Sequence, residues 1–154
     1  MATSMKRGII FLAFLSQFVH GAPSLHMYVK QGVRGYVREL KGNQMPSPGR
    51  PAAKGRGIPT EICIYALVNL SQVEPTPKEC FYKAVHGRLI KTIKSDSTGF
   101  FETSLDTGRY SLFIRLGNLY YASLTDQYNN LAPITVEDSR LTNIDLVYRN
   151  GVTY

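Results

Sequence analysis

The chain has 154 residues, 18 Lys+Arg against 11 Asp+Glu and a formal charge of +7. That length carries one domain with a single core and excludes a second. The basic excess favours contact with anionic surfaces or polymers, and three histidines in all leave little material for histidine-dependent catalysis.

Residues 1–21 read as an export signal and not as part of the domain. Lys6 and Arg7 form a positive start, Gly8 to Phe14 with Phe18 and Val19 form a short apolar helix, and Val19-His20-Gly21 offers a cleavage site. The apolar run, interrupted by Ser16 and Gln17, is too short to span a membrane. With no cysteine near the cut, a lipoprotein is not expected. The exported chain of about 130 residues, enough for one core, would act in the periplasm or outside the cell and keep no transmembrane span.

Residues 22–31 read as an N-terminal arm carrying His26, and residues 32–154 as the domain. Gln31 to Glu39 is the first strand, with Val33, Gly35 and Val37 alternating against Arg34, Tyr36 and Arg38. Gly35 within it predicts a bulge or a close backbone approach. Lys41 to Pro59 reads as a long loop with four prolines, four glycines and no acidic residue. Lys41, Arg50, Lys54 and Arg56 make it the most basic segment of the chain, and Met45, Arg50, Lys54 and Arg56 are the first candidate contact residues, because rigid scaffolds often display binding groups on loops.

Glu61 to Leu70 is apolar on both faces and is expected at the centre of a sheet. Ser71 to Lys78 reads as a loop, Phe81 to Val85 as a short edge strand, and Arg88 to Ser95 as a strand with Lys91 and Lys94 facing water. Cys63 and Cys80 are candidates for a disulfide in an oxidising compartment, worth about 3 kcal/mol for so short a loop; the alternative is a buried free thiol and an unrelated Cys80.

The sharpest local pattern is Asp96 to Leu112, D-x-x-G-x-F-x-x-x-L-x-x-G-x-Y-x-L. Phe101, Thr103 and Leu105 share one face of a strand, and Tyr110, Leu112 and Ile114 share one face of the next. Gly99 and Gly108 stand where turns often need positive φ, and Asp96 and Asp106 can accept hydrogen bonds from turn backbone. Beyond them, Tyr120 to Ser123, Pro133 to Val136 and Leu141 to Tyr148 read as strands, with a polar turn at Asp126 to Asn130. About seven short strands separated by Gly, Pro and Asn turns predict an all-β sandwich.

Gly35-Tyr36-Val37, Asp96 to Phe101 and Leu105 to Tyr110 resemble the carboxypeptidase regulatory-like domains, over roughly residues 32–148. The block Gly42-Asn43-Gln44-Met45-Pro46-Ser47-Pro48 resembles one in small exported bacterial members. The resemblance implies a seven-stranded antiparallel Greek-key β-sandwich of the transthyretin (prealbumin) type, an exported location and no particular reaction. The family follows its first strand with a short turn, where this chain inserts Lys41 to Pro59.

Enzymes with related sandwiches set tests that the residues do not meet. A transthyretin-like hydroxyisourate hydrolase needs paired histidines and a Tyr-Arg-Gly-Ser tail, whereas this chain has Tyr148-Arg149-Asn150-Gly151 and, once exported, His26 and His86 alone. An iron-dependent intradiol dioxygenase meets the same shortage. No catalytic residue, metal or cofactor is therefore assigned; Asp126 to Asn130 reads as a self-stabilised turn and not as a calcium loop. The reading is a non-catalytic module for binding or support at the bacterial envelope, with an envelope protein or an anionic or glycan polymer as partner and no nucleic acid. Ten tyrosines raise the alternative of sugar stacking on Tyr120, Tyr121 or Tyr128.

Overall fold

The computed structural model describes residues 29–43, 49 and 54–153. The signal segment, His26, Met45 and Arg50 lie outside the described residues. The strands are β1 (Gly32–Asn43), β2 (Arg56–Gly57), β3 (Glu61–Ala66), β4 (Val73–Pro75), β5 (Phe81–Val85), β6 (Leu89–Lys94), β7 (Phe100–Ser104), β8 (Gly108–Leu116), β9 (Leu119–Tyr121), β10 (Pro133–Val136) and β11 (Leu141–Thr153). A turn of 3-10 helix at Leu70–Gln72, capped by Asn69, precedes β4.

The strands form two sheets. In the smaller one, β1 lies between β11 on one side and β7 and β2 on the other. The larger runs β4-β5-β9-β8-β3-β6, with β10 beside the first half of β8. Val33, Val37, Phe101, Leu146 and Tyr148 from the smaller sheet pack against Ile62, Ile64, Leu112, Ile114 and Val136 from the larger, forming the shared core. Phe101, Thr103 and Leu105 are buried, as are Tyr110, Leu112 and Ile114, as their alternation predicts.

The larger sheet is apolar on its outer face too. Cys63, Tyr65, Tyr82, Phe113 and Leu131 form a second cluster there, with Phe113 edge-on to Tyr65, Tyr82 and Tyr120 at ring separations of 5.6, 6.3 and 6.2 Å. This explains why β3 reads as apolar on both sides.

Several expectations need correction. Seven strands were expected, and eleven are present among the described residues. The additional ladders β2 and β4 span only two and three residues, too few to show a period of their own. The expected antiparallel arrangement fails at one pair, because β1 and β11 run parallel in register from Gly32↔Leu141 to Lys41↔Asn150. A parallel pair needs a long crossover, and here most of the domain supplies it. Phe81–Val85 is not an edge, since β4 pairs with its free side. The long loop is shorter than Lys41 to Pro59: β1 continues to Asn43, and Arg56–Gly57 returns to pair with Arg38 and Glu39.

The Asp96 turn folds as its residues predict. Asp96 Oδ1 accepts from Thr98 N (2.8 Å), Thr98 Oγ1 (2.7 Å) and Phe100 N (3.0 Å), and these bonds hold its carboxyl below the ordinary range. Gly99 adopts φ +84° and abuts β1 so closely that a Cβ there would lie 2.3 Å from the Val37 carbonyl oxygen. Gly108 is different: it is not among the positive-φ residues, and the Tyr110 ring covers it at 3.4–3.5 Å from where a Cβ would stand. Where the chain enters β1, Gln31 donates to the Leu105 carbonyl and accepts from Ser139 N.

Candidate functional site

The basic loop leaves β1 and returns through β2, so antiparallel pairing fixes both of its ends. At this rim Glu39 is the organising group. Its carboxylate meets Lys41 Nζ at 3.2 Å, Arg56 Nη2 at 3.9 Å and Asn150 Nδ2 at 3.0 Å. The Glu39 side chain is only 10 % exposed, whereas Lys41 and Arg56 are 61 % and 81 % exposed. Partial burial pushes the carboxyl upward, but the Asn150 and Lys41 hydrogen bonds and the nearby cations outweigh it and hold it below its ordinary value. The negative charge thus lies beneath the positive ones, and the rim presents cations outward. Lys54 is exposed just before β2.

The other candidates disperse. Tyr120 and Tyr121 are neighbours on β9 and face opposite ways, as strand alternation requires. Tyr121 points into the core, edge-on to Phe81 and Tyr148 with ring centroids 5.1 Å from each. Tyr120 joins the outer aromatic cluster, where Arg115 stacks 4.7 Å from its ring centre and donates to its hydroxyl at 2.8 Å. Tyr128 stands alone of the three in solvent, 66 % exposed on the Asp126 turn. The three cannot make one stacking platform.

Of the two alternatives for Cys63 and Cys80, the structure has the free thiols, with Cys63 buried within β3, and not the bridge. Cys63 belongs to the outer cluster of the larger sheet and Cys80 packs against the inner core, so the sheet separates them. Burial raises the pKa of both.

His86 sits after β5 and meets Glu74 at 2.9 Å, both exposed. Asp126 Oδ1 accepts from Tyr128 N and Asn130 N at 2.9 Å each, and Oδ2 takes Asn130 Nδ2 and Arg109 Nη2. Its carboxyl is held low chiefly by the Asn130 side chain, and its oxygens are already engaged in closing the turn. Among the described residues no three His, Cys, Asp or Glu side chains gather as a metal site, and no helix is long and apolar enough to cross a membrane.

The sequence reading passed over the outer face of the smaller sheet. Arg34, Tyr36 and Arg38 project there from β1, beside Asn143 and Asp145 of β11 and Phe100 and Glu102 of β7. The signal was the Arg-x-Tyr-x-Arg alternation, which places three long polar or aromatic side chains on the solvent side of a strand.

Compared with family models, curated proteins and solved structures, the chain matches none.

Proposed function

We propose that this chain is an exported, non-catalytic binding module that holds an anionic partner at the bacterial envelope through the basic rim of its long loop. In this reading residues 1–21 are an export signal helix removed without lipid attachment. The two sheets are a Greek-key sandwich of the transthyretin type, as the resemblance to carboxypeptidase regulatory-like domains implies.

One observation carries the reading. Glu39, largely covered, holds Lys41 and Arg56 beside it at the β1–β2 pairing, and with exposed Lys54 the cations there outnumber the one carboxylate, so the anchored ends of the loop present a net positive charge. An anionic polymer meeting this rim would find charges already positioned, with less ordering entropy to lose.

The test is retention of the full chain on a dextran sulfate resin across a salt gradient. The variant Arg50→Gln/Lys54→Gln/Arg56→Gln should elute at clearly lower salt while its melting temperature stays within a few degrees, because exposed charges contribute little to stability. An unchanged elution position would remove this reading.

A further inference from the structure

We propose that Asn150 is a site of spontaneous deamidation, and that the carboxylate it produces beside Glu39 weakens the basic rim. The modification stands on Asn150 and Gly151 themselves. Only its effect on binding rests on the rim being an anion site.

Asn150 alone among the asparagines of the chain precedes a glycine. Asparagine is a labile residue, and its amide is lost when the next backbone nitrogen closes on its Cγ. A side chain on that next residue obstructs the approach, and glycine has none. The fold adds to this. The β1–β11 ladder slips here, since Lys41 pairs with Asn150 and Asn43 with Thr153, so that Gly151 and Val152 together face Gly42. Such a bulge takes a residue out of the regular ladder, and both glycines lie at positive φ, +73° at Gly42 and +60° at Gly151. Gly151 is exposed, and a Cβ built on it would meet nothing within 4 Å. The backbone has room to turn, and water has access. Asn69, Asn118, Asn130 and Asn143 precede leucine or isoleucine instead. The amides of Asn69 and Asn130 are also tied, donating to the Tyr128 carbonyl at 2.8 Å and to Asp126 Oδ2 at 2.9 Å.

The chemistry needs no reactant but water. Gly151 N gives up its proton and attacks Asn150 Cγ; the N–Cγ bond forms, the Cγ–Nδ2 bond breaks, and Nδ2 leaves as ammonia with that proton. Water then opens the cyclic imide at either carbonyl, leaving aspartate or isoaspartate at position 150.

The neighbourhood gives the change its consequence. Asn150 Nδ2 donates to Glu39 Oε1 at 3.0 Å, one of the bonds that hold the Glu39 carboxyl low. After conversion an acceptor stands where a donor stood. Two carboxylates in contact repel, and Lys41 and Arg56, which now face one anion, would be shared between two. The field that the rim offers a polyanion falls accordingly.

The test incubates the full chain in heavy-oxygen water at body temperature and mildly alkaline pH, then digests it with pepsin in acid, where the reaction stops, and maps the peptides by mass spectrometry. Asn150 is expected to take up heavy oxygen while Asn69, Asn118, Asn130 and Asn143 keep their amides. Gly151→Ala should slow the conversion on the order of tenfold or more. Made directly, Asn150→Asp should melt at a lower temperature than the parent chain at neutral pH and elute from dextran sulfate at lower salt. Asn150→Ser, which removes the amide without adding charge, should elute with the parent. An Asn150 that keeps its amide, conversion that runs equally at the other asparagines, or a rate indifferent to Gly151→Ala overturns the modification site. If Asn150→Asp elutes with the parent while Arg50→Gln/Lys54→Gln/Arg56→Gln elutes early, the effect on the rim is overturned and the rim reading stands. If the triple variant also elutes with the parent, the rim reading and the retention effect fall together, and the peptide map still decides the modification.

Discussion

The Tyr110 hydroxyl donates a 2.9 Å hydrogen bond to the carbonyl of Asp106, four residues upstream, while its ring covers Gly108. The bond ties the β7–β8 turn to the strand that follows and resembles the tyrosine corners of other β-sandwiches. It also gives a physical role to the L-x-x-G-x-Y spacing, which sets the hydroxyl against the turn and the ring against the glycine.

Tyr110→Phe should cost about 1 kcal/mol, the usual net worth of one hydrogen bond. The fold should survive, because the ring stays in the core. Urea unfolding would show a lower midpoint with an unchanged slope.

Gly35→Ala should be far more damaging than its size suggests. A methyl group there meets the Ile144 carbonyl oxygen, and relief requires β1 and β11 to separate along the parallel pairing that joins them. A loss of more than about 3 kcal/mol is expected, in the range of strain and overpacking effects. Gly117→Ala is the control: nothing lies within 4 Å of its Cβ position and φ is +61°, so its cost should stay near 1 kcal/mol. Parallel denaturant titrations would separate the two.

Glu39 sets a pH dependence of defined sign. Its carboxyl is held below the ordinary value in the folded chain, so the ionised form favours folding. The stabilisation is present above the unfolded carboxyl pKa and disappears as pH falls through the lower folded value. Glu39→Gln should therefore flatten the acid limb of a melting-temperature profile and lower its neutral plateau. Because the cations that face Glu39 are exposed, added salt should shrink the difference.

Cys63 and Cys80 should behave as two free thiols of unequal reach. Cys63 is 4 % exposed and Cys80 half-buried, and burial keeps both pKa values up, which slows thiolate chemistry. An alkylating agent should label Cys80 first and Cys63 only on unfolding. Melting temperature should be the same with and without reductant; a drop on reduction would show a bond that the folded geometry does not contain.

Local chemistry was readable from residue order. Period-two burial at Phe101-Thr103-Leu105 and Tyr110-Leu112-Ile114 and the Asp96 turn each depend on neighbours a few positions away, whereas the glycine at 35 signals a close approach without naming its partner, Ile144. The same alternation rule, applied to β9, would also have separated Tyr120 from Tyr121 before any coordinates were known.

Long-range partners were not readable. Arg34 reaches Asn143 across 109 positions, and Glu39 meets Asn150 across 111. Those encounters depend on β11 lying parallel to β1, a pairing that no local pattern encodes because either strand's alternation is satisfied by many neighbours. Residue order by itself determined which side chains face water and which face the core. The tertiary structure decided which of the outward ones stand together, because strand order and register follow from packing two whole sheets against a common core.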